Sequence, residues 1–378
     1  MRVLQVVSSL NIGSGIANFI LNYYRNVDRE KVQFDFLLFF EAEKNYHEEV
    51  EKLGGKIYII PSPSLKTFSA YDKQVKAFFA EHKNEWECVH IHEILVQKFI
   101  IKHSKPNGVR KVFMHSHNTA FVLPRPELSV IKRYAEYGFK KLRNVYLLSG
   151  FKNKTDGFIA CSNAAGVALY GKKILLRDDF LVINNAVDTN KFITALSGRD
   201  RLREEYNVTD KKVILHVGKF CEHKNQPFLL KTFEKIYEKD DSYVLFMVGI
   251  GPTKSAMEEQ YSSLKEKGAI KFLGSRTDIA DLMAIADLFF FPSINEGLPV
   301  SLIEAQASGL PCVASASIST EAIITPAVKY LDLAIGEEKW AEEILATPLI
   351  RYDTKQSIIE HGYDITASSQ KLVELYLK

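Results

Sequence analysis

Short apolar runs recur along the chain, separated by longer stretches whose apolar residues fall three and four apart. RVLQVV, FDFLLFF, KIYII, CVHI, KVFM and GFIACS predict strands in the first half, and KVILHVG, YVLFMVG, IKFLG, LFFFPS and PCVAS predict strands in the second. Most of these runs are apolar at consecutive positions. A strand that is apolar on both faces needs cover on both, the condition of a parallel sheet packed between helices. SAYDKQVKAFFAEHK, QPFLLKTFEKIYEK and TKSAMEEQYSSLKEK supply the helical spacing between them. The alternation predicts an α/β protein with doubly wound sheets. The polar, turn-rich segment NNAVDTNKFITALSGRD, residues 184–200, precedes a fresh strand–helix series. Two Rossmann-like domains are therefore expected, residues 1–190 and 191–363. In such sheets ligands bind at the carboxyl ends of the strands, and two domains facing each other would place the main site in the cleft between them.

Composition narrows the picture by exclusion. The 378 residues are 46% hydrophobic and 25% charged with a net charge of +3, so bulk charge does not make the chain a nucleic-acid binder. Cys88, Cys161, Cys221 and Cys312 lie far apart with no C-x-x-C pair, which suits free thiols in a reducing compartment rather than disulfides or zinc. The N-terminal MRVLQVV reads as a strand without a cleavage site, and no apolar run approaches the ~18 residues of a membrane helix. A cytoplasmic protein is expected.

The most informative stretch is NEGLPVSLIEAQASGLP, residues 295–311, directly after the apolar run ADLFFFPSI. Asn295, Glu296 and Gly297 should form the loop at a strand end, Pro299 suits the first turn of a helix, and Gly309 suits its C-terminal cap. Glu296 then precedes the helix and Glu304 lies about a turn and a half inside it. Carboxylates accept hydrogen bonds from vicinal hydroxyls, and the amides near Gly297 and Leu298 suit an anion. By spacing alone the plainer reading leads: a carboxylate complementing the helix dipole, and a second on a solvated face.

The string E-G-L-P-x-x-L-I-E-A-Q-A-x-G-L-P resembles the signature of retaining GT-B glycosyltransferases of family 4, the group 1 transferases. The resemblance implies that Glu296 contacts the transferred sugar and Glu304 the nucleotide ribose. LHVGKFCEHKNQPFLLKTF, residues 215–233, is similar to the family's diphosphate-gripping loop, with Lys219 where arginine is usual and Lys224 five residues on. Two cations beside a helix start suit a pyrophosphate, although lysine gives up the bidentate fork of arginine. VGIGP, residues 248–252, resembles the family's glycine turn and brings in Gly249. FLGSRTDIADLMAIADLFFFPS, residues 272–293, places Arg276 beside the nucleotide base by resemblance, with a plain surface arginine as the alternative. SSLNIGSGIANFILNYYRNVD is similar to the opening of capsular and exopolysaccharide transferases of the family. Gly13 and Gly15 there allow close backbone approach to donor or acceptor, or simply serve the turn. Ala17 stands where many relatives carry glutamate. YDITASSQKLVELYLK is expected to hold a helix, residues 364–378, crossing back to the first domain.

KVFMHSHNTAF ends a strand with His115 and His117, which alternation points to one side. The resemblance puts a histidine at this strand end near the anomeric centre, and His117 is the first choice. The implied reaction moves a sugar from a nucleotide-sugar, UDP-linked by preference, to a saccharide or lipid-linked saccharide in surface-polysaccharide synthesis, with retention and without a metal or other cofactor. No D-x-D motif occurs in the chain. The leaving diphosphate would be stabilised by Lys219, Lys224 and nearby helix N-termini. Rival readings are a metal-dependent hydrolase using His90, His92, His115 and His117, and a non-catalytic GT-B partner subunit. Residues 125–154 carry eight Lys/Arg against two Glu, interleaved with aromatics. They form either a solvated helix face or a peripheral dock on the anionic inner face of the cell membrane. No nucleic-acid motif accompanies them.

Overall fold

The computed structural model describes residues 1–12, 14–63, 67–117, 154–296 and 298–378. The chain divides into two compact units, Met1–Ala186 with Ile365–Lys378, and Val187–Asp364.

Among the described residues of the first unit, seven parallel strands lie in the order β3-β2-β1-β4-β5-β6-β7. They are β1 (Arg2–Val7), β2 (Gln33–Leu38), β3 (Ile57–Ile59), β4 (Cys88–Ile91), β5 (Lys111–Ser116), β6 (Gly157–Ala160) and β7 (Phe180–Val182). The second unit carries six parallel strands in the order β10-β9-β8-β11-β12-β13. These are β8 (Lys212–Val217), β9 (Tyr243–Val248), β10 (Ile270–Gly274), β11 (Leu288–Phe291), β12 (Cys312–Ser315) and β13 (Val328–Leu331). Both sheets are doubly wound. Strand order reverses between β1 and β4 in one and between β8 and β11 in the other, and sheets of this kind bind ligands at such a reversal, beyond the carboxyl ends of the strands.

The expected α/β class is thus observed, and the eleven strands expected from apolar runs are present. The pattern missed β7 and β13, short strands at sheet edges whose residues are only half buried. Central strands such as β4, β9, β11 and β12 are buried throughout, as strands with two covered faces must be. The stretch 253–267, expected as one helix, forms two, Lys254–Gln260 and Ser262–Glu266. Buried Tyr261 separates them.

The helix Ile365–Leu377 packs in the first unit against the helix Gly15–Asn26. It buries Ile365, Leu372, Val373 and Tyr376 in the core shared with β1, β2 and β5. No helix among the described residues is long and apolar enough to cross a membrane. The basic stretch 125–154, apart from Lys154, lies outside the described residues.

Candidate active site

The second unit brings Lys219, Lys224 and Glu296 to the reversal between β8 and β11, while Arg276 follows β10. The loop after β8 carries Lys219, which is exposed, and Lys224, which is not. Lys224 Nζ lies 2.7 Å from Glu296 Oε1, and both side chains are only about an eighth exposed. The ammonium also stands 4.6 Å from the centroid of Phe291, the last residue of β11. The contact is an ion pair, and Glu296 Oε1 is buried with no hydrogen-bond partner among the described residues. The pair is held by charge and leaves an acceptor open.

The long helix Gln226–Lys239 begins beside Lys224. Its N-cap, Asn225, has φ 55° and makes no side-chain cap bond to the helix; its amide donates instead to Pro292 O at 3.2 Å. No acidic residue occupies the first turn. The positive end of the dipole is therefore not neutralised by a side chain of the N-cap or first turn. Gln226 donates to Lys219 O at 2.9 Å and so fixes the loop carrying both lysines.

The glycine turn has a steric reason. Gly249 has φ +141°, and a Cβ there would lie 2.0 Å from Gly218 O; one at Gly251 would lie 2.1 Å from Phe220 O. The two glycines let the 249–251 turn pack on the lysine loop, joined by Gly218 N–H to Val248 O and Phe220 N–H to Ile250 O, each 2.9 Å. Gly249 is thereby placed as the support of the lysine loop. Arg276 is exposed and held by Asp278 and the Tyr206 hydroxyl.

Glu304 sits in the helix Val300–Ala307, for which Pro299 is the N-cap rather than the first helical residue. Gly309 ends it at φ +74°, with Gly309 N–H to Gln306 O and Leu310 N–H to Ala305 O at 3.0 and 3.1 Å, a Schellman closure. Leu298 packs partly buried against the main core of this unit. Gly297 lies outside the described residues. By accessible surface Glu304 is only partly covered, yet enough protein surrounds it that burial raises its carboxyl to about 7, against the opposing charge of Lys191. It is not a carboxylate on a solvated face.

In the first unit, Gly15 opens the helix Gly15–Asn26 behind the N-cap Ser14, and a Cβ there would meet open space. Gly13 lies outside the described residues. Gln5 of β1 stands in register with His90 of β4, which in turn pairs with Phe113 of β5. Two-residue alternation then brings His92, His115 and His117 to the same face. Phe19 packs edge-on against His115 and His117, and Tyr376 against His90. All four imidazoles are held neutral. Burial pushes His90 and His117 down to about 3, and His92 and His115 well below the usual value, helped at each of these but His117 by neighbouring imidazoles.

Ring nitrogens of His90, His92 and His115 lie within 4.8 Å of one another. In this arrangement ring nitrogens of the trio are engaged with one another. His90 and His115 face each other edge to edge, 3.2 Å between nitrogens and 9° between planes. Two imidazoles on one tetrahedral ion would aim their lone pairs at a common point at a wide angle instead. Among the described residues no carboxylate joins the trio, which is buried.

Three polar residues near the lysine loop and β11 had been given no role in the sequence. His216 interrupts an apolar strand and bonds Phe290 O at 3.0 Å, with burial lowering it to about 4. Gln226 Oε1 and Ser293 Oγ are buried without partners. A polar residue inside KVILHVG or LFFFPS was the available signal.

Residues 198–346 match the family model described as "Glycosyl transferases group 1". The chain is 31% identical to the "Putative glycosyltransferase EpsF" of Bacillus subtilis over 99% of this chain and 96% of that protein. It is 24% identical to the "Capsular polysaccharide biosynthesis glycosyltransferase CapH" of Staphylococcus aureus, across 100% and 99% of the two chains. Its fold is similar to that of Anabaena Alr3699/HepE, solved in complex with UDP and glucose, with a TM-score of 0.72, 18% identity and full coverage of both chains. The two doubly wound sheets are those of the GT-B fold, and the chain belongs to the group 1 glycosyltransferases.

Proposed function

We propose that this transferase moves a sugar from a UDP-sugar to a saccharide or lipid-linked saccharide acceptor in surface-polysaccharide assembly, with retention at the anomeric carbon and without a metal. The observation that carries the reading is the Lys224–Glu296 pair beside an uncapped helix start at the sheet's reversal point. The HepE complex with UDP and the capsular assignment of CapH support the donor and the setting.

Each residue has a role its chemistry can perform. Lys219, Lys224 and the N-terminus of the helix Gln226–Lys239 hold the diphosphate and stabilise the charge that grows on it as the glycosidic bond to the anomeric carbon breaks. Glu296 Oε1, buried and without a hydrogen bond, accepts from a hydroxyl of the transferring sugar. Glu304 accepts from the ribose hydroxyls, which favours its ionised form. Gly297 and Leu298 offer backbone to the phosphates, Gly249 supports the lysine loop, and Arg276 borders the base. In the first unit Gly13 and Gly15 approach substrate with backbone, and His117 contacts the sugar. The basic stretch 125–154 is assigned to an anionic membrane surface.

Calorimetry with UDP, GDP and ADP, each with and without EDTA, tests the donor. Tight UDP binding that survives EDTA and is lost in Lys224→Ala supports the reading. Binding of another nucleotide, or of UDP only with added divalent metal, overturns the corresponding part. NMR of the product's anomeric proton decides retention.

A further inference from the structure

The buried polar face of the first unit forms one continuous hydrogen-bonded chain. His117 Nε2 is 2.7 Å from His92 Nδ1, and His92 Nε2 is 2.9 Å from Gln5 Oε1. Gln5 Nε2 is 3.3 Å from the Tyr376 hydroxyl, which is 2.5 Å from His90 Nδ1. His90 Nε2 is 3.2 Å from His115 Nδ1, and His115 Nε2 ends the chain, buried and without a partner. Gln5 and Tyr376 are 1% exposed, so no solvent substitutes for a missing link.

The direction of every proton follows from Gln5. Its carbonyl can only accept and its amide can only donate. His92 must therefore donate from Nε2, which leaves Nδ1 bare to accept from His117 Nε2–H. On the other side the Tyr376 oxygen accepts from Gln5, and its own proton goes to His90 Nδ1. His90 then donates from Nε2 to His115 Nδ1. Six groups point one way and none is charged. Turning the Gln5 amide over would reverse all of them, and His117 would then show N–H where it now shows a lone pair.

We propose that Tyr376, Gln5 and His92 are positioning residues that fix His117 as its Nε2–H tautomer, so that the strand end presents a hydrogen-bond acceptor at Nδ1. Among the described residues no bond reaches that nitrogen. The group it receives is a donor such as a hydroxyl, and an anionic oxygen is refused. The C-terminal helix thus sets the polarity of His117, three hydrogen bonds away. The functional half of the proposal rests on reading His117 as such a contact; the tautomer does not.

The full-length protein labelled with 15N-histidine tests both halves. Long-range proton–nitrogen spectra separate bare from protonated ring nitrogens, and His117→Asn assigns the signal. The wild type should show His117 protonated at Nε2 and bare at Nδ1. Tyr376→Phe frees the Gln5 amide to turn, and Gln5→Met removes the acceptor for His92; each should give both tautomers at His117. UDP release from UDP-glucose with water as acceptor should slow in Tyr376→Phe by about fivefold, the worth of one hydrogen bond. A wild-type His117 protonated at Nδ1, a single unchanged tautomer in either folded variant, or stoichiometric zinc on the cluster overturns the lock. If His117→Asn leaves UDP release unchanged while the tautomers behave as expected, the lock stands and the assignment of His117 to the substrate falls.

Discussion

At the residue scale the balance between burial and charge decides what each carboxylate can do. Glu304 has its folded value raised to about 7 from 4.5, chiefly by burial. The native state thus holds a proton that the unfolded state has already lost, so stability falls as pH rises between about 4.5 and 7. Glu304→Gln should stabilise the fold at pH 8 by at most about 3 kcal/mol, seen as a higher melting temperature, and should match the wild type at pH 4. On the ribose role proposed for Glu304, the same substitution should weaken UDP binding, because it replaces the accepting carboxylate with an amide. Binding to the wild type should release protons near pH 7 and tighten from pH 6 to 8; calorimetry in buffers of different ionisation enthalpy reads both. Lys224 and Glu296 behave otherwise, since among the described residues each is the other's only ion-pair partner. Removing one leaves a largely buried charge alone and should cost roughly 2–4 kcal/mol. Lys224→Met with Glu296→Gln should restore most of that stability without restoring UDP binding. Denaturant titration of the two single variants and the double variant gives the coupling.

At the element scale the 249–251 turn and the lysine loop are one object. Gly249→Ala places a methyl 2.0 Å from Gly218 O, in a backbone region that side chains rarely adopt. The loop must move, and with it Gly218, Lys219 and the start of the next helix. A loss of at least about 2 kcal/mol is expected, with UDP affinity falling more steeply than for a core variant of equal stability. Chemical denaturation and calorimetry on the same preparation separate the two effects. Gly268→Ala is the control: it also has positive φ, but its Cβ would meet open space. It should pay only the backbone penalty and leave UDP binding unchanged.

At the scale of the whole molecule the chain order and the folded units differ. The first unit closes only when Ile365–Lys378 joins it. That segment brings four buried apolar side chains, Ile365, Leu372, Val373 and Tyr376, into the first unit's core. At ~1.5–3 kcal/mol for each such side chain, their burial is comparable to the net stability of a domain. Truncation after Asp364 should therefore unfold the first unit while Val187–Asp364 keeps its own melting transition, which differential scanning calorimetry would show as one transition lost and one retained.

The sequence by itself determined the α/β class, nearly all the strands, the helices that end in Gly309 and begin at Gln226, and the membership that the 295–311 string announces. These are local properties: apolar period, caps and turn residues act within a few positions of one another. The edge strands β7 and β13 escaped because a half-buried strand lacks the unbroken apolar run of a central one. Tertiary structure alone decided that Glu304 is half-buried with a raised carboxyl, that Gly249 is needed by Gly218, and that Glu296 Oε1 is ion-paired with Lys224. It alone joined Gln5, His90, His92, His115, His117 and Tyr376 into one chain across 371 positions of sequence. Desolvation, steric contact and hydrogen-bond direction depend on neighbours in space, and a doubly wound sheet makes neighbours of residues that the sequence keeps far apart.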